Sequence, residues 1–195
     1  MTIQKKLQIY FDLIENQFMY GGKKYMTDSS TAEATDILCD KHGYNGLFWV
    51  MNKYIIRFRN LKLEKDLLKI GCFCYILWLK RGFHILPTGI DSPILPTPLQ
   101  IKKYNFSKFK TFIEFSNNHL LSVTSEINDK NILDDSYLDY AEKHIVSWSQ
   151  NNKWNLVFQE DIDSVFINVF HVWQRNFAGL NTHNEDIGKE NEQTN

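Results

Sequence analysis

Three carboxylates, Glu33, Asp36 and Asp40, recur at i, i+3 and i+7 in the stretch TAEATDILCDKHG, a spacing that carries all three onto roughly one face of a short helix. Oxygen ligands gathered in this way can hold Mg²⁺, and Asp66 further along is the fourth carboxylate that could join them. Lys53 and Arg57 follow one helical turn apart, with Arg59 close behind, and such cations could neutralise the phosphates of a metal-bound nucleotide. The ordinary alternative is a solvated acidic face whose first carboxylate complements the helix dipole, the commoner arrangement on surface helices.

Other chemistry finds less material. His42 and His84 each follow a helix end, where a cation is favoured on electrostatic grounds alone, and His119, His144 and His171 stand isolated in half-apolar surroundings. There is no GxSxG elbow and no glycine-rich phosphate loop. Cys39, Cys72 and Cys74 are odd in number and lie in apolar contexts, which fits free buried thiols in a reducing compartment. Cys72 and Cys74, two apart on a helix, point in different directions and cannot form a CxxC pair. A net charge of −1 argues against a protein whose main business is coating a nucleic-acid backbone. Two basic strips, Lys53-Arg57-Arg59-Lys62 and Lys102-Lys103-Lys108-Lys110, keep a nucleic-acid-binding module as a lower-ranked reading.

These residues must be positioned by a mainly α scaffold. The run from Gly46 to His84 holds the densest hydrophobicity and reads as a helical hairpin over about 46–82. Leu47, Met51, Tyr54 and Phe58, with Phe48 and Ile55 beside them, line one face of its first arm. Its second arm is apolar almost all round between Ile70 and Leu79, the mark of a central helix. Asn60 to Lys62 leaves room for a short turn, and Lys80-Arg81-Gly82 reads as a helix C-terminus. An N-terminal helix from Thr2 to about Met19 should stop at Gly21-Gly22, and a second, Ala32 to His42, at Gly43.

All four prolines fall within residues 87–98, so 85–103 reads as a connector between a helical core unit, 1–84, and a helical C-terminal extension, 104–179, packed on that core. Residues 104–127 read as a β-hairpin turning at Asn117-Asn118 or, preferably, as a helix broken there. Two helices follow, one from Asp134 with Tyr137, Tyr140, Ala141, Ile145 and Trp148 inward, one near Gln159 to Phe177 with Ile162, Val165, Phe166, Val169, Phe170 and Trp173 inward. The polar stretch 180–195 has the composition of a disordered tail. The start of the chain runs straight into an amphipathic helix instead of a leader, and the longest uncharged apolar run is about half of the ~20 residues that cross a bilayer. A cytoplasmic setting without membrane contact is therefore expected.

The segments HGYNGLFWVMNKYIIRFRNL and LLKIGCFCYIL, within residues 42–77, resemble the helical MazG-like, nucleotide-modification-associated proteins of phages, with Gly46, Leu47, Met51, Asn52, Arg57, Asn60 and Leu61 in matching places. The resemblance implies an all-α, usually oligomeric fold and, in active members, Mg²⁺-dependent nucleoside triphosphate pyrophosphohydrolysis. Lys69 stands where the resemblance expects a metal-binding Asp, Lys53 where an acidic residue is common, and Tyr54 where a lysine would be. A cation at a ligand position repels Mg²⁺. The leading expectation is thus a recognition or regulatory protein of phage or mobile-element type that binds a protein partner or a nucleotide-like ligand without turnover. A diverged Mg²⁺-dependent pyrophosphohydrolase is the alternative, and a homo-oligomer fits either.

Overall fold

A computed structural model describes residues 1–25, 41–83, 111–112, 133–150 and 157–179. The carboxylates Glu33, Asp36 and Asp40, the proline-bearing connector 85–103, most of 104–127 and the stretch 180–195 lie outside the described residues. The described chain is mainly α, with helices α1 (Ile3–Tyr25), α2 (Tyr44–Leu61), α3 (Glu64–Lys80), α4 (Asp134–Ser149) and α5 (Gln159–Asn176), and no strand among the described residues.

The hairpin of α2 and α3 is where the hydrophobic pattern places it. Gly43 and Gly82 bracket it with φ of +62° and +76°, left-handed values that glycine adopts without steric cost. Between the arms only Lys62 and Leu63 leave the helix; Lys62 takes φ +52° and donates its N–H to the Phe58 carbonyl at 2.8 Å, closing α2. Glu64 and Asp66 occupy the first turn of α3, where carboxylates complement the dipole.

The N-terminal helix differs from expectation: α1 runs through Gly21-Gly22 to Tyr25. A glycine inside a helix costs only about 1 kcal/mol, and α1 is held by tertiary packing of a long apolar stripe (Leu7, Tyr10, Phe11, Ile14, Phe18) that outweighs it. The stripe lies on α3, where Gly71 permits a close crossing: a Cβ there would stand 2.5 Å from Ile14 Cδ1 and 3.2 Å from Tyr10 Oη. Tyr10 also donates a long hydrogen bond, 3.4 Å, to the Leu67 carbonyl.

The second apolar helix is α5. Asp163, Ile167 and His171 are buried along with the expected Ile162, Val165, Phe166, Val169, Phe170 and Trp173, so α5 is covered on nearly as many sides as α3. Tyr10 packs against the rings of Phe166, Phe170 and Trp173 at 5.0–5.5 Å, and Trp173 Nε1 donates to Glu64 at 2.8 Å, tying the last helix to the start of α3. Phe112 joins the same core between Tyr75, Trp78 and Phe166. On α4, Tyr137, Leu138, Ala141, Ile145 and Trp148 face inward, but Tyr140 is half exposed. Three residues past Tyr137, it has rotated to the edge of the buried stripe, and Leu138 fills the inward position. No helix among the described residues is long and apolar enough to cross a membrane.

Candidate functional site

Helix geometry sorts the cations of α2. Lys53 and Arg57, four residues apart, are displaced by only about 40° around the axis, whereas Arg57 and Arg59 are about 200° apart. Arg57 therefore falls on the seam with α3, and Arg59 on the flank toward α4. There Arg59 is held by two carboxylates, Asp139 and Glu142, in a bridge between the helices. Of the three phosphate-binding candidates, Lys53 and Arg57 are brought together and Arg59 is committed elsewhere.

On the α3 side Arg57 forks onto Asp66. Its Nε donates to Oδ2 at 2.8 Å and to Oδ1 at 3.0 Å, and Nη2 also meets Oδ1. The carboxylate is fully buried, while the Arg57 side chain keeps 32 % of its exposure. The bond to Asp66 raises the Arg57 pKa above its ordinary value, burial working against it. Both oxygens of Asp66 are thus taken by a guanidinium, which leaves a poor Mg²⁺ ligand. Among the described residues no three His, Cys, Asp or Glu side chains gather in a way that could hold a metal ion.

The aromatic ring at the centre of the seam is Tyr54. Phe73 of α3 stacks on it, centroids 6.0 Å apart. Three cations surround the same ring: Arg57 Cζ at 5.1 Å, Lys69 Nζ at 5.2 Å and Lys53 Nζ at 5.4 Å from its centroid. Lys69 is half-buried, and its pKa is lowered first by that burial and then by the Arg57 charge, with Asp66 opposing and Lys65 adding to the fall. Three cations, Lys53, Arg57 and Lys69, thus gather on one ring, beside the Asp66 carboxylate that Arg57 engages, in a chain whose net charge is −1. An anion in this cluster would relieve the repulsion that depresses Lys69.

The remaining reactive groups are turned to structure. Burial pushes the Cys72 thiol up to about 12 and that of Cys74 well above its usual value, which disfavours the thiolate form of both. His171 is buried against Tyr137, accepts at Nδ1 from Gln174 Nε2 at 2.8 Å, and is pushed down to about 4 by burial and then by Arg175. His144 meets Asp161 across α4 and α5 at 3.4 Å. Lys80 and Arg81 are buried rather than exposed at the end of α3, Arg81 Nε donating to the Val157 carbonyl at 3.0 Å.

The sequence pattern alone marks Lys53 and Arg57 but passes over Tyr54, Lys69 and Phe73 as members of one site. The available signal is their register: Lys65, Lys69 and Phe73 repeat every four residues along α3, forming the side of that helix with the most charge. Compared with known protein families, curated proteins and solved structures, the chain shows no match.

Proposed function

We propose that this chain is a recognition protein that binds a nucleotide-like anionic ligand through its phosphates, without turnover, at the seam of α2 and α3. The observation that carries this reading is the convergence of Lys53, Arg57 and Lys69 on the ring of Tyr54, beside a single carboxylate already engaged by Arg57. Lys69 contributes a charge held partly away from water, where it acts on a bound anion more strongly than an exposed lysine does. Arg57 is pre-oriented by Asp66 and need not be ordered on binding. The alternative of a Mg²⁺-dependent pyrophosphohydrolase draws no support from Asp66, whose oxygens face a guanidinium, and would rest on Glu33, Asp36 and Asp40.

Calorimetry at low salt tests the proposal, with inorganic tripolyphosphate and ATP as probes. Binding should be measurable, weaken steadily as salt rises, and fall at least tenfold in Lys53→Ala/Lys69→Ala, with ATP recovered intact after incubation with Mg²⁺. A binding free energy unchanged in that variant would remove the site, and release of pyrophosphate would turn the reading to the enzyme. Ligand at a hundred times its dissociation constant should also stabilise the fold by about 2.7 kcal/mol.

A further inference from the structure

Trp49 on α2 is an exposed aromatic side chain, 67 % open to solvent. An indole left in water on an otherwise well-packed helix forgoes a large burial gain, and its position gives it a use. Trp49, Lys53 and Arg57 stand at i, i+4 and i+8 on α2. Each step advances about 6 Å along the axis and turns about 40°. The row therefore leads from the outermost face of α2, at Trp49, through exposed Lys53, to half-buried Arg57 at the seam where Tyr54 and Lys69 lie.

We infer that Trp49 is a stacking platform for the base of a nucleoside polyphosphate whose phosphates occupy the Lys53–Arg57–Lys69 cluster; this rests on the function proposed above and names its ligand class. The order of groups along the row, aromatic, then exposed cation, then recessed cations, is the order of base, sugar and polyphosphate along such a ligand. Two features select it over larger occupants. Three cations converge on one ring, which suits phosphates clustered at a single point, whereas a nucleic-acid strand presents them spaced along its length. Lys69 is half-buried against the Tyr54 ring, an arrangement that suits a small anion better than a plane of lipid headgroups. Stacking on an indole uses the π-face common to all bases, so the site distinguishes nucleotide from bare phosphate but hardly one base from another.

The test titrates the full chain with ATP, CTP, inorganic tripolyphosphate and anionic phosphatidylserine vesicles at low salt. ATP and CTP should bind alike, each roughly tenfold or more tightly than tripolyphosphate, a ratio of the size base–aromatic stacking supplies. Trp49→Ala should erase that advantage and leave the affinity for tripolyphosphate as it was, while Trp49→Phe keeps most of it. Because Trp49 is exposed, its replacement should leave the melting temperature unchanged, and this is checked alongside. Equal affinity for ATP and tripolyphosphate in the unaltered chain, or an advantage that survives Trp49→Ala, overturns the platform and leaves the anion site standing. Vesicle binding with no response to ATP overturns the platform in favour of a membrane surface. Failure of every phosphate-bearing probe to bind overturns the proposed function itself.

Discussion

Arg57 and Asp66 form an asymmetric pair, and the asymmetry decides what each is worth. Asp66 is fully buried, whereas Arg57 retains part of its contact with water. Truncating the arginine strands a carboxylate where water cannot reach it, a loss of about 3–5 kcal/mol. Neutralising the carboxylate leaves a guanidinium that can turn outward and rehydrate, which costs about 1–3 kcal/mol. Arg57→Ala should therefore destabilise the fold more than Asp66→Asn, by denaturant midpoints compared at equal slope, and the reverse order would contradict the burial described here. Asp66→Asn should also lower Lys69 further, since the carboxylate that raises it most is gone. At this scale the sequence is read well where helix phase suffices: Lys53 with Arg57 follows from a spacing of four. The separation of Arg57 from Arg59 follows equally from a spacing of two, but a basic strip read as composition conceals it. That Asp66 would be captured by Arg57 depends on how α3 lies against α2, which no local pattern states.

The crossing of α1 over α3 turns on Gly71. An alanine would gain about 1 kcal/mol of helix propensity there, yet its methyl group would meet Ile14 Cδ1 at 2.5 Å within a packed core. Overpacking of this kind costs about 1–3 kcal/mol, so Gly71→Ala should be neutral to destabilising by up to about 2 kcal/mol. In an Ile14→Val background the offending Cδ1 is absent and the same change should become neutral or favourable. A double-mutant cycle by chemical denaturation reads this coupling directly; simple additivity would mean that the helices do not approach so closely. Elements bounded by strong local signals are the legible ones: Gly43 and Gly82 flank the hairpin at positive φ, as glycine announces, whereas the left-handed Lys62 between the arms carries no such mark. Gly21-Gly22 shows the limit, because the packing of α1 overrides a weak local preference for a break. Tyr140 shows another, an aromatic residue at an edge position that apolar counting assigns inward.

At the scale of the whole molecule, helices from both sides of the proline-bearing stretch supply one continuous core, with α5 pressed against α1 and α3 by Phe166, Phe170 and Trp173. The prolines punctuate the sequence between these helices, and the hydrophobic residues on either side meet in that core. This shared core makes stability answer to groups on α5 such as His171, held at about 4 against an ordinary 6.5. Between those values the unfolded chain takes up a proton that the folded chain refuses, so stability is greatest above about 6.5 and falls as the pH drops toward 4. The loss attributable to this group approaches about 3 kcal/mol. His171→Phe, which preserves a ring against Tyr137, should flatten that part of the pH profile, and parallel profiles for the two proteins would refute it.

Beyond Glu64, the positions of α3 that are only partly buried are Lys65, Lys69 and Phe73. Every other side chain of that helix, from Asp66 to Lys80, is enclosed by its neighbours. Mutational freedom on the central helix is thereby confined to a single stripe, and that stripe borders the Tyr54 cluster. Tolerance to substitution and preservation of the fold are divided between separate residues of one helix. Under the function proposed above, substitutions at Lys65, Lys69 or Phe73 should shift anion binding with little change in melting temperature, whereas substitutions at the enclosed positions should lower it.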